Sequence, residues 1–248
     1  MLAEQRMEAI LAELEREQAV SVAQLCAATG ASGATIRRDL NELARRGKLN
    51  KVYGGAMSLR EEFRGEEPDM EAKRELHAQE KIRIARYAAG LIQDGDVVFL
   101  DAGSTVMHMV DYIQAPGATF VTNSVECVQR LPLRGLRTYV LGGAVKPGTM
   151  AVIGGEVIET LKNYNFTKAF LGINGITVRQ GFTTPDREEA MVKAQAAARA
   201  RETWVLADSS KFGAVTAAAV LPLEGARIIT DRLEDRRYLE YTEIKEVS

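Results

Sequence analysis

The chain has 248 residues, of which 46% are hydrophobic and 27% charged, and its formal net charge is -2. This length suits one small and one medium domain rather than a single fold, and the apolar content is ample for a packed core. No run approaches the roughly 18 apolar residues of a membrane span, and the N-terminus predicts an amphipathic helix rather than a signal peptide, so we expect a cytoplasmic protein without a membrane partner.

Two short helices around a tight turn are predicted near the N-terminus. A helix ahead of them is indicated by apolar residues at helical spacing, which are Met7, Ile10, Leu11 and Leu14. Ser21 and Gln24 form a capping-box pattern, so a second helix is expected at about 21–28, and Gly30 ends it. Ser32 can cap a third helix. This layout is typical of a helix-turn-helix DNA reader.

The third helix is predicted to have opposite apolar and polar faces. Its apolar residues are Ile36, Leu40 and Leu43. At about 100° per residue, the other face carries Ala34, Arg38, Asn41 and Arg45. Arginine can donate two hydrogen bonds to guanine, and asparagine can pair with adenine, so we predict base contacts for Arg38 and Asn41. Arg37 lies at the flank and is expected to contact phosphate.

A basic hairpin between residues 48 and 56 is predicted to form a wing, anchored by Leu49 and Val52. Residues 30–60 contain seven basic residues, including Arg60, but only two acidic residues. This local excess of positive charge is the electrostatic pattern of a protein that binds double-stranded DNA. The alternative is a helical hairpin with a solvated basic face. The predicted DNA-contacting residues are Ser32, Ala34, Thr35, Arg37, Arg38, Asn41, Arg45, Lys48, Lys51 and Tyr53.

The stretch ATIRRDLNELARRGKL followed by KVYGGA resembles the N-terminal signature of the DeoR family of bacterial sugar-operon repressors, without gaps from about residue 5 to 57. The resemblance implies a winged helix-turn-helix domain that binds double-stranded operator DNA as a homo-oligomer, either a dimer or a tetramer. Tyr53 departs from the family pattern, which usually has histidine before Gly-Gly-Ala. Tyrosine can still donate a hydrogen bond to phosphate.

Residues 58–75 are polar and charged, with Gly65 and Pro68 as breakers, and predict a linker between a DNA-binding domain at 1–57 and a second domain at 76–248. A single helix is predicted from about Met70 to about Ile92. Beyond it, short apolar runs alternate with helical stretches, which indicates an α/β domain on a largely parallel sheet. The predicted strands are 97–100, 119–122, 138–141, 168–172, 203–207 and 227–230.

A polar or glycine-containing motif follows each predicted strand, and ligands of open α/β sheets bind beyond the carboxyl ends of strands, so these motifs are expected to converge on one crevice. Residues 101–105 join a strand to a helix, where backbone N–H groups, the helix dipole and the hydroxyls of Ser104 and Thr105 can hold a phosphate. Glycine in such a turn is also common for structural reasons alone. Lys211 can contact the ligand with its positive charge, or its side chain can simply be exposed to solvent.

Nucleotide cofactors and metals are not expected. The sequence contains neither a G-x-G-x-x-G pattern nor a Walker lysine. His77 and His108 have no cysteine or histidine at ligand spacing, so structural zinc is disfavoured. Cys26 and Cys127 are interpreted as buried thiols rather than a disulfide.

The motifs LDAGST, TNS, LGG, FLGING, GFT and DSSKFG resemble the sensor of the same family across about residues 76–235. This implies a ribose-5-phosphate isomerase-like (Rossmann-like) fold that binds a phosphorylated sugar, and Lys81 matches a phosphate-contacting lysine of that isomerase family. YNFTKAFLGING with GFTTPD is similar to the branch that controls fructose utilisation, which implies fructose 1-phosphate or a related ketose phosphate. The predicted effector contacts are Lys81, Asp101, Gly103, Ser104, Thr105, Thr122, Asn123, Gly142, Gly143, Asn174, Asp208 and Lys211.

Catalysis is disfavoured by the residues after the fourth strand of this domain. Sugar-phosphate isomerisation needs a positioned general base. The acidic DGADE-type motif of the isomerases is replaced at 171–175 by Leu-Gly-Ile-Asn-Gly, although Asp186, Glu188, Glu189 and Asp208 are possible substitutes. We therefore interpret the chain as a repressor released from its operator by a phosphorylated sugar. The alternatives are an isomerase-like enzyme with an appended DNA-binding module and a constitutive DNA architectural protein.

Overall fold

The computed structural model describes residues 2–17, 19–57, 62–63 and 70–247. Most of the predicted linker lies outside the described residues, including Arg60, Gly65 and Pro68. The chain divides into two compact units, Met1–Glu61 and Glu62–Ser248. Within the described ranges, no helix combines the length and the apolar character that crossing a membrane requires.

The N-terminal unit contains three helices and three short strands, in the order α1 (Ala3–Glu17), β1 (Ala19–Ser21), α2 (Val22–Thr29), α3 (Gly33–Arg45), β2 (Asn50–Val52) and β3 (Gly55–Met57). The predicted capping box is confirmed, because the Gln24 N–H donates to Ser21 Oγ at 3.2 Å and the Ser21 N–H donates to Gln24 Oε1 at 2.8 Å. Gly30 ends α2 with a φ of 69°, a left-handed conformation that glycine adopts without strain. Ser32 caps α3 as predicted.

The wing is a three-stranded antiparallel sheet in the order β1-β3-β2. The sequence did not predict β1, which is only three residues long. Leu49 is buried and joins the core of the unit, whereas Val52 is 38% exposed, so the prediction that both residues anchor the hairpin is correct only for Leu49. The core consists of Ile10, Leu14, Val20, Leu25, Ile36, Leu40, Leu43, Leu49 and Ala56.

The second unit has helices on both faces of a parallel sheet. Its helices are α4 (Met70–Glu75), α5 (Ala78–Ala89), α6 (Ser104–Met109), α7 (Val125–Arg130), α8 (Gly155–Leu161) and α9 (Arg187–Ala198). Its strands are β4 (Glu62–Phe63), β5 (Val97–Leu100), β6 (Thr119–Thr122), β7 (Arg137–Val140), β8 (Ala144–Lys146), β9 (Ala151–Ile153), β10 (Phe166–Gly172), β11 (Gly175–Thr177), β12 (Gly181–Thr184), β13 (Ala200–Leu206), β14 (Ala214–Val215), β15 (Ala218–Leu221), β16 (Arg227–Thr230) and β17 (Ile244–Glu246).

Seven of these strands form the main sheet, in the order β17-β16-β13-β10-β5-β6-β7, and every neighbouring pair is parallel. It includes all six predicted strands. Successive side chains of a strand point to opposite faces of the sheet, and each face has its own apolar core. In β5, Phe99 packs in one core, and Val98 and Leu100 pack in the other. The sheet is therefore buried on both faces.

The strand order reverses between β5 and β10. From β5 the chain proceeds through β6 and β7 to one edge, and from β10 it proceeds through β13, β16 and β17 to the other edge. The loops that follow β5 and β10 therefore diverge. In parallel sheets this divergence opens a crevice at the carboxyl ends of the two strands.

The predicted helix from Met70 to Ile92 is two helices, α4 and α5. His77 separates them and has a φ of 55°, which lies outside helical conformation and interrupts the backbone hydrogen bonding. α5 buries Ile84 and Ala85 against the sheet core. Hydrophobic spacing continues across the break, which explains why the pattern predicted a single helix.

An antiparallel hairpin, β8–β9, covers the carboxyl end of β6 and was not predicted. The Val152 N–H donates to the Asn123 carbonyl at 2.7 Å, and the Val125 N–H donates to the Met150 carbonyl at 3.2 Å. A second small sheet, β11-β12-β15, lies elsewhere in the unit, and β14 pairs with β4. The protein's own chain therefore occupies the space above β6.

Candidate functional site

The exposed face of α3 carries the residues predicted to contact DNA. Ile36, Leu40 and Leu43 are buried, whereas Ala34, Arg38, Asn41 and Arg45 are exposed on the opposite face, together with Arg37 at its flank. Ser32 and Thr35 hold the start of the helix: the Thr35 N–H donates to Ser32 Oγ at 3.3 Å, and the two hydroxyl oxygens are 2.9 Å apart. α3 therefore presents small, basic and amide side chains along one surface.

The two carboxylates of α3 are paired with arginines. Asp39 is buried and accepts hydrogen bonds from Arg6 Nε at 2.5 Å and Arg6 Nη2 at 3.2 Å. Glu42 accepts from Arg45 and Arg46, and these hydrogen bonds lower the pKa of Glu42 to about 2. Arg45 is therefore an ion-pair partner of Glu42 as well as a predicted DNA contact.

The wing and α3 meet through two predicted DNA contacts. Lys51 Nζ donates to Asn41 Oδ1 at 2.7 Å. This hydrogen bond orients the Asn41 amide and leaves its nitrogen available to donate to an acceptor on a base edge. Lys48 and Tyr53 are both exposed on the same hairpin region. The four side chains thus share the accessible surface of the N-terminal unit.

In the second unit, a cavity of about 620 Å³ lies beyond the carboxyl ends of β5 and β10, where the strand order reverses. Six predicted effector contacts line it: Lys81, Gly103, Ser104, Thr105, Asn174 and Lys211. The sequence did not predict several other lining residues, which include Phe63, Lys73, Thr149, Glu189, Lys193 and Thr216. The volume falls within the range of about 300–1,000 Å³ typical of small-molecule sites.

Glycines allow the loops after β5 and β10 to touch at the base of the cavity. A Cβ on Gly103 would lie 2.9 Å from Gly172 Cα, which is closer than real Cβ contacts allow. Asp101 joins the same two loops, because its Oδ2 accepts from the Gly172 N–H at 3.0 Å and from Lys193 Nζ. Asp101 and Lys193 are only 1% and 4% exposed. Asp101 therefore positions the loop and Lys193, and does not line the cavity.

Lys81 is a buried cation in the cavity wall. It is 3% exposed, and its Nζ donates to the Lys73 carbonyl. Burial lowers the pKa of Lys81 to about 8; Asp208 opposes this effect, and the charges of Lys211 and Lys73 add to it. A bound anion would favour the protonated form, because it places negative charge beside the ammonium group.

Lysines dominate the charge of the side chains that line the cavity. Its described lining residues include Lys73, Lys81, Lys193 and Lys211, against the single carboxylate of Glu189. α6, whose N-terminal end was predicted to hold the phosphate, begins at Ser104, and Gly103, Ser104 and Thr105 all line the cavity. This set of charges favours an anionic ligand.

Six predicted effector contacts do not line the cavity. Asp101 lies beneath it, and Asp208 lies beside it, with Oδ2 3.7 Å from Lys211 Nζ. The Thr122 hydroxyl donates to the Leu100 carbonyl at 2.6 Å, and Asn123 Nδ2 donates to the Val152 carbonyl at 3.2 Å. Gly142 and Gly143 lead into the β8–β9 hairpin. The loops after β6 and β7 are thus separated from the cavity because they lie away from the reversal in strand order and are covered by that hairpin.

Glu189 and Lys193 are the most informative residues that the sequence did not assign to the ligand site. They lie four residues apart on α9, which brings both side chains to one helix face, and they are 7% and 4% exposed. In a sequence, glutamate and lysine at this spacing are typical of a solvent-exposed ion pair, so the pattern alone gave no signal of burial. In the parts of the chain that the structure describes, no group of three or more histidine, cysteine or acidic residues could hold a metal ion.

The two units correspond to a helix-turn-helix DNA-binding domain and a parallel-sheet domain with an anion-favouring cavity, a combination that defines a DNA-binding regulator. A model of the DeoR-like helix-turn-helix domain matches residues 6–62, and a model of the DeoR C-terminal sensor domain matches residues 76–232. The chain belongs to the DeoR family of transcriptional regulators, as its motifs predicted.

Relatives across the whole chain carry regulatory names. The HTH-type transcriptional regulator FruR of Bacillus subtilis is 40% identical over 98% of this chain and 96% of its own length. The lactose phosphotransferase system repressor of Streptococcus mutans is 31% identical over 98% of this chain and 99% of its own length. These names confirm the interpretation of the chain as a regulator rather than an enzyme. Ribose 5-phosphate isomerase A of Methanocaldococcus jannaschii is similar in structure over 55% of both chains, with a TM-score of 0.39 and 17% identity.

Proposed function

We propose that this protein represses a sugar-utilisation operon and releases its operator when a phosphorylated sugar occupies the cavity of the second unit. The observation that carries this proposal is the cavity itself, which lies at the reversal in strand order and is lined by four lysines. A phosphoryl group matches the positive charge, and a volume of about 620 Å³ accommodates an attached sugar. The repressor name of the lactose-system relative supports the same role.

Part of the cavity wall comes from the N-terminal part of the second unit. Phe63 of β4, Lys73 of α4 and His77 all line the cavity, and they precede the rest of the sensor in the chain. β4 is held by pairing with β14. A ligand that contacts these residues acts directly on the segment leading to the DNA-binding unit, which provides a physical route for coupling.

On the DNA side, α3 enters the major groove and the wing contacts the backbone, and Arg38 and Asn41 read bases. A dimer or tetramer presents two such helices to a two-fold operator. A coupling free energy of about 1–3 kcal/mol would weaken operator binding roughly five- to 150-fold, which is sufficient to switch an operon. Among phosphorylated sugars we favour a ketose phosphate such as fructose 1-phosphate, because of the YNFTKAFLGING and GFTTPD motifs.

The sensor role is tested with an operator fragment selected from random duplexes. Its affinity for the full-length protein is measured by fluorescence anisotropy with and without a panel of phosphorylated hexoses and pentoses. We expect at least one sugar phosphate to weaken binding at least fivefold, and the corresponding unphosphorylated sugar to have no effect. Indifference to the entire panel would contradict the sensor role.

Two adjacent arginines provide a matched test of the DNA interface. Arg37 and Arg38 are both exposed on α3, but Arg38 lies on the face opposite the apolar residues and Arg37 lies at the flank. We expect Arg38→Ala to reduce discrimination between operator and random DNA by about 1–3 kcal/mol, and Arg37→Ala to weaken both DNAs alike and lower the salt slope by about one. Salt-dependent anisotropy titrations measure both quantities. Equal behaviour of the two variants would remove the base-reading role of Arg38.

The lowered pKa of Lys81 predicts a pH dependence of anion binding. Because the pKa is about 8 in the ligand-free protein, Lys81 is mostly protonated at pH 7 and mostly neutral at pH 9. The affinity for a sugar phosphate should therefore fall as the pH rises through 8, with uptake of a proton on binding near that pH. Calorimetry in buffers of different ionisation enthalpy measures the uptake. Lys81→Met should remove the step between pH 7 and 9, and a step that persists in this variant must come from another group.

A further inference from the structure

Glu189 is the one carboxylate among the described residues that line the cavity. It is the third residue of α9 after Asp186, whose side chain caps the helix by accepting from the Glu189 N–H at 2.9 Å. In a capping box, a glutamate at this position returns its side chain to the backbone N–H of the cap residue. Here the side chain instead contacts Lys146 and Thr149 and lines the cavity.

The hydrogen bonds to Glu189 fall on one of its two oxygens. Oε1 accepts from Lys146 Nζ at 2.9 Å and from the Thr149 hydroxyl at 2.8 Å. Among the described residues, none donates a hydrogen bond to Oε2. The carboxyl group is therefore fixed in orientation by one oxygen and can accept hydrogen bonds from a ligand with the other.

Glu189 remains ionised despite its burial. Burial alone would raise its pKa, but the charge of Lys193 and the interactions with Lys146 and Thr149 outweigh this effect, so the pKa lies below its ordinary value. An ionised carboxylate has no proton to donate, so it accepts from hydroxyl groups and repels a phosphoryl group. The charge of Glu189 thus disfavours phosphate at its position and favours a hydroxyl-bearing part of the ligand.

The charged groups around Glu189 differ from those around Lys81. Lys81 interacts electrostatically with Asp208, Lys211 and Lys73. Glu189 interacts with Lys193 and Lys146. The two sets have no member in common, so the charged groups that act on Glu189 are not those that act on Lys81.

We propose that Glu189 is a specificity-determining residue that accepts hydrogen bonds from the sugar hydroxyls of the ligand and thereby orients its phosphoryl group toward Lys81. This inference rests on the proposed function, since it assigns the sugar part of the ligand within the same cavity. With this contact, the protein binds phosphate esters that carry several hydroxyl groups in preference to phosphate alone. Thr149 is a positioning residue, because it holds the carboxylate through Oε1.

The test compares inorganic phosphate and fructose 1-phosphate as ligands of the full-length protein by calorimetry. Glu189→Gln keeps the shape of the side chain and an acceptor oxygen but removes the charge. We expect the variant to bind inorganic phosphate within about threefold of the wild type, and to bind fructose 1-phosphate at least about tenfold more weakly, because hydrogen bonds to a charged group are stronger than those to a neutral one. The preference for the sugar ester over phosphate is the quantity measured.

Two further variants separate specificity from folding and from net charge. Thr149→Val should reduce the same preference and leave phosphate binding intact. It replaces Glu189→Gln as the test variant if Glu189→Gln lowers the melting temperature. Glu188→Gln makes the same change of charge at the adjacent, exposed position of α9 and should leave both affinities unchanged.

Each outcome supports or overturns the inference. Equal losses for phosphate and fructose 1-phosphate in Glu189→Gln, no loss for either, or the same loss in Glu188→Gln would overturn the hydroxyl-reading role. A wild-type protein that binds phosphate but prefers no sugar ester would also overturn it, while leaving the anion cavity intact. A wild-type protein that binds neither ligand would instead contradict the proposed function itself.

Discussion

Replacing Lys81 with methionine is expected to shift the response to sugar phosphate to at least roughly 30-fold higher ligand concentrations, while operator binding without ligand remains at the wild-type level. Lys81 is buried in the cavity wall, so its contact with an anion is shielded from solvent. Truncating one partner of a buried, hydrogen-bonded charge pair costs about 2–5 kcal/mol, which corresponds to at least roughly 30-fold in affinity. Calorimetric titration with the most effective sugar phosphate measures the loss, and anisotropy measures operator binding.

Lys162→Met provides the control for this prediction. Lys162 follows α8 and is exposed, where it pairs with Glu159 at 2.6 Å. The variant removes the same charge and should leave ligand affinity unchanged. If Lys81→Met retained the full response, Lys81 would have no role in ligand binding.

The second large effect is expected on stability. Asp101→Asn should lower the free energy of unfolding of the second unit by about 3–5 kcal/mol, because it removes the buried carboxylate that pairs with Lys193. The asparagine keeps the shape of the side chain and can still accept from the Gly172 N–H, so the loss reports on the ion pair. Urea denaturation monitored at Trp204, which is buried in the same unit, measures the change.

A double variant checks that the ion pair is the cause. Lys193→Met alone should also be strongly destabilising, whereas Asp101→Asn combined with Lys193→Met should recover part of the loss, since removing both charges avoids leaving one buried charge without its opposite. Strictly additive losses would show that the two residues act independently. In that case the base of the cavity would not depend on this ion pair.

Local sequence signals predicted the N-terminal unit well because its structure is set locally. Ser21 and Ser32 cap the N-termini of α2 and α3, and Gly30 ends α2. All three roles agree with the sequence pattern. The face of α3 that bears Arg38 also followed from helical periodicity alone. The exposure of Val52 was not predicted, because the period of a three-residue strand does not show which side of the hairpin meets the core.

In the second unit, the sequence predicted six of the seven strands of the main sheet, all except β17, but not which strand ends form the cavity. That selection depends on strand order, which is a property of the complete fold. Asn123 and Gly142 follow strands as Gly103 does, yet the β8–β9 hairpin and the distance from the reversal separate them from the cavity. Glu189 and Lys193 were missed for a related reason, since the burial of charged residues on a helix depends on tertiary packing.

We propose that occupation of the second unit's cavity weakens operator binding, and the response of a cavity variant to ligand tests this coupling. Operator affinity is determined by anisotropy for the wild type and for Lys81→Met while the most effective sugar phosphate is titrated. We expect wild-type affinity to fall at least fivefold at saturation, and we expect Lys81→Met to need at least roughly 30-fold more ligand for the same fall. An equal fall in both proteins at the same ligand concentration, or no fall in either, would contradict the proposal.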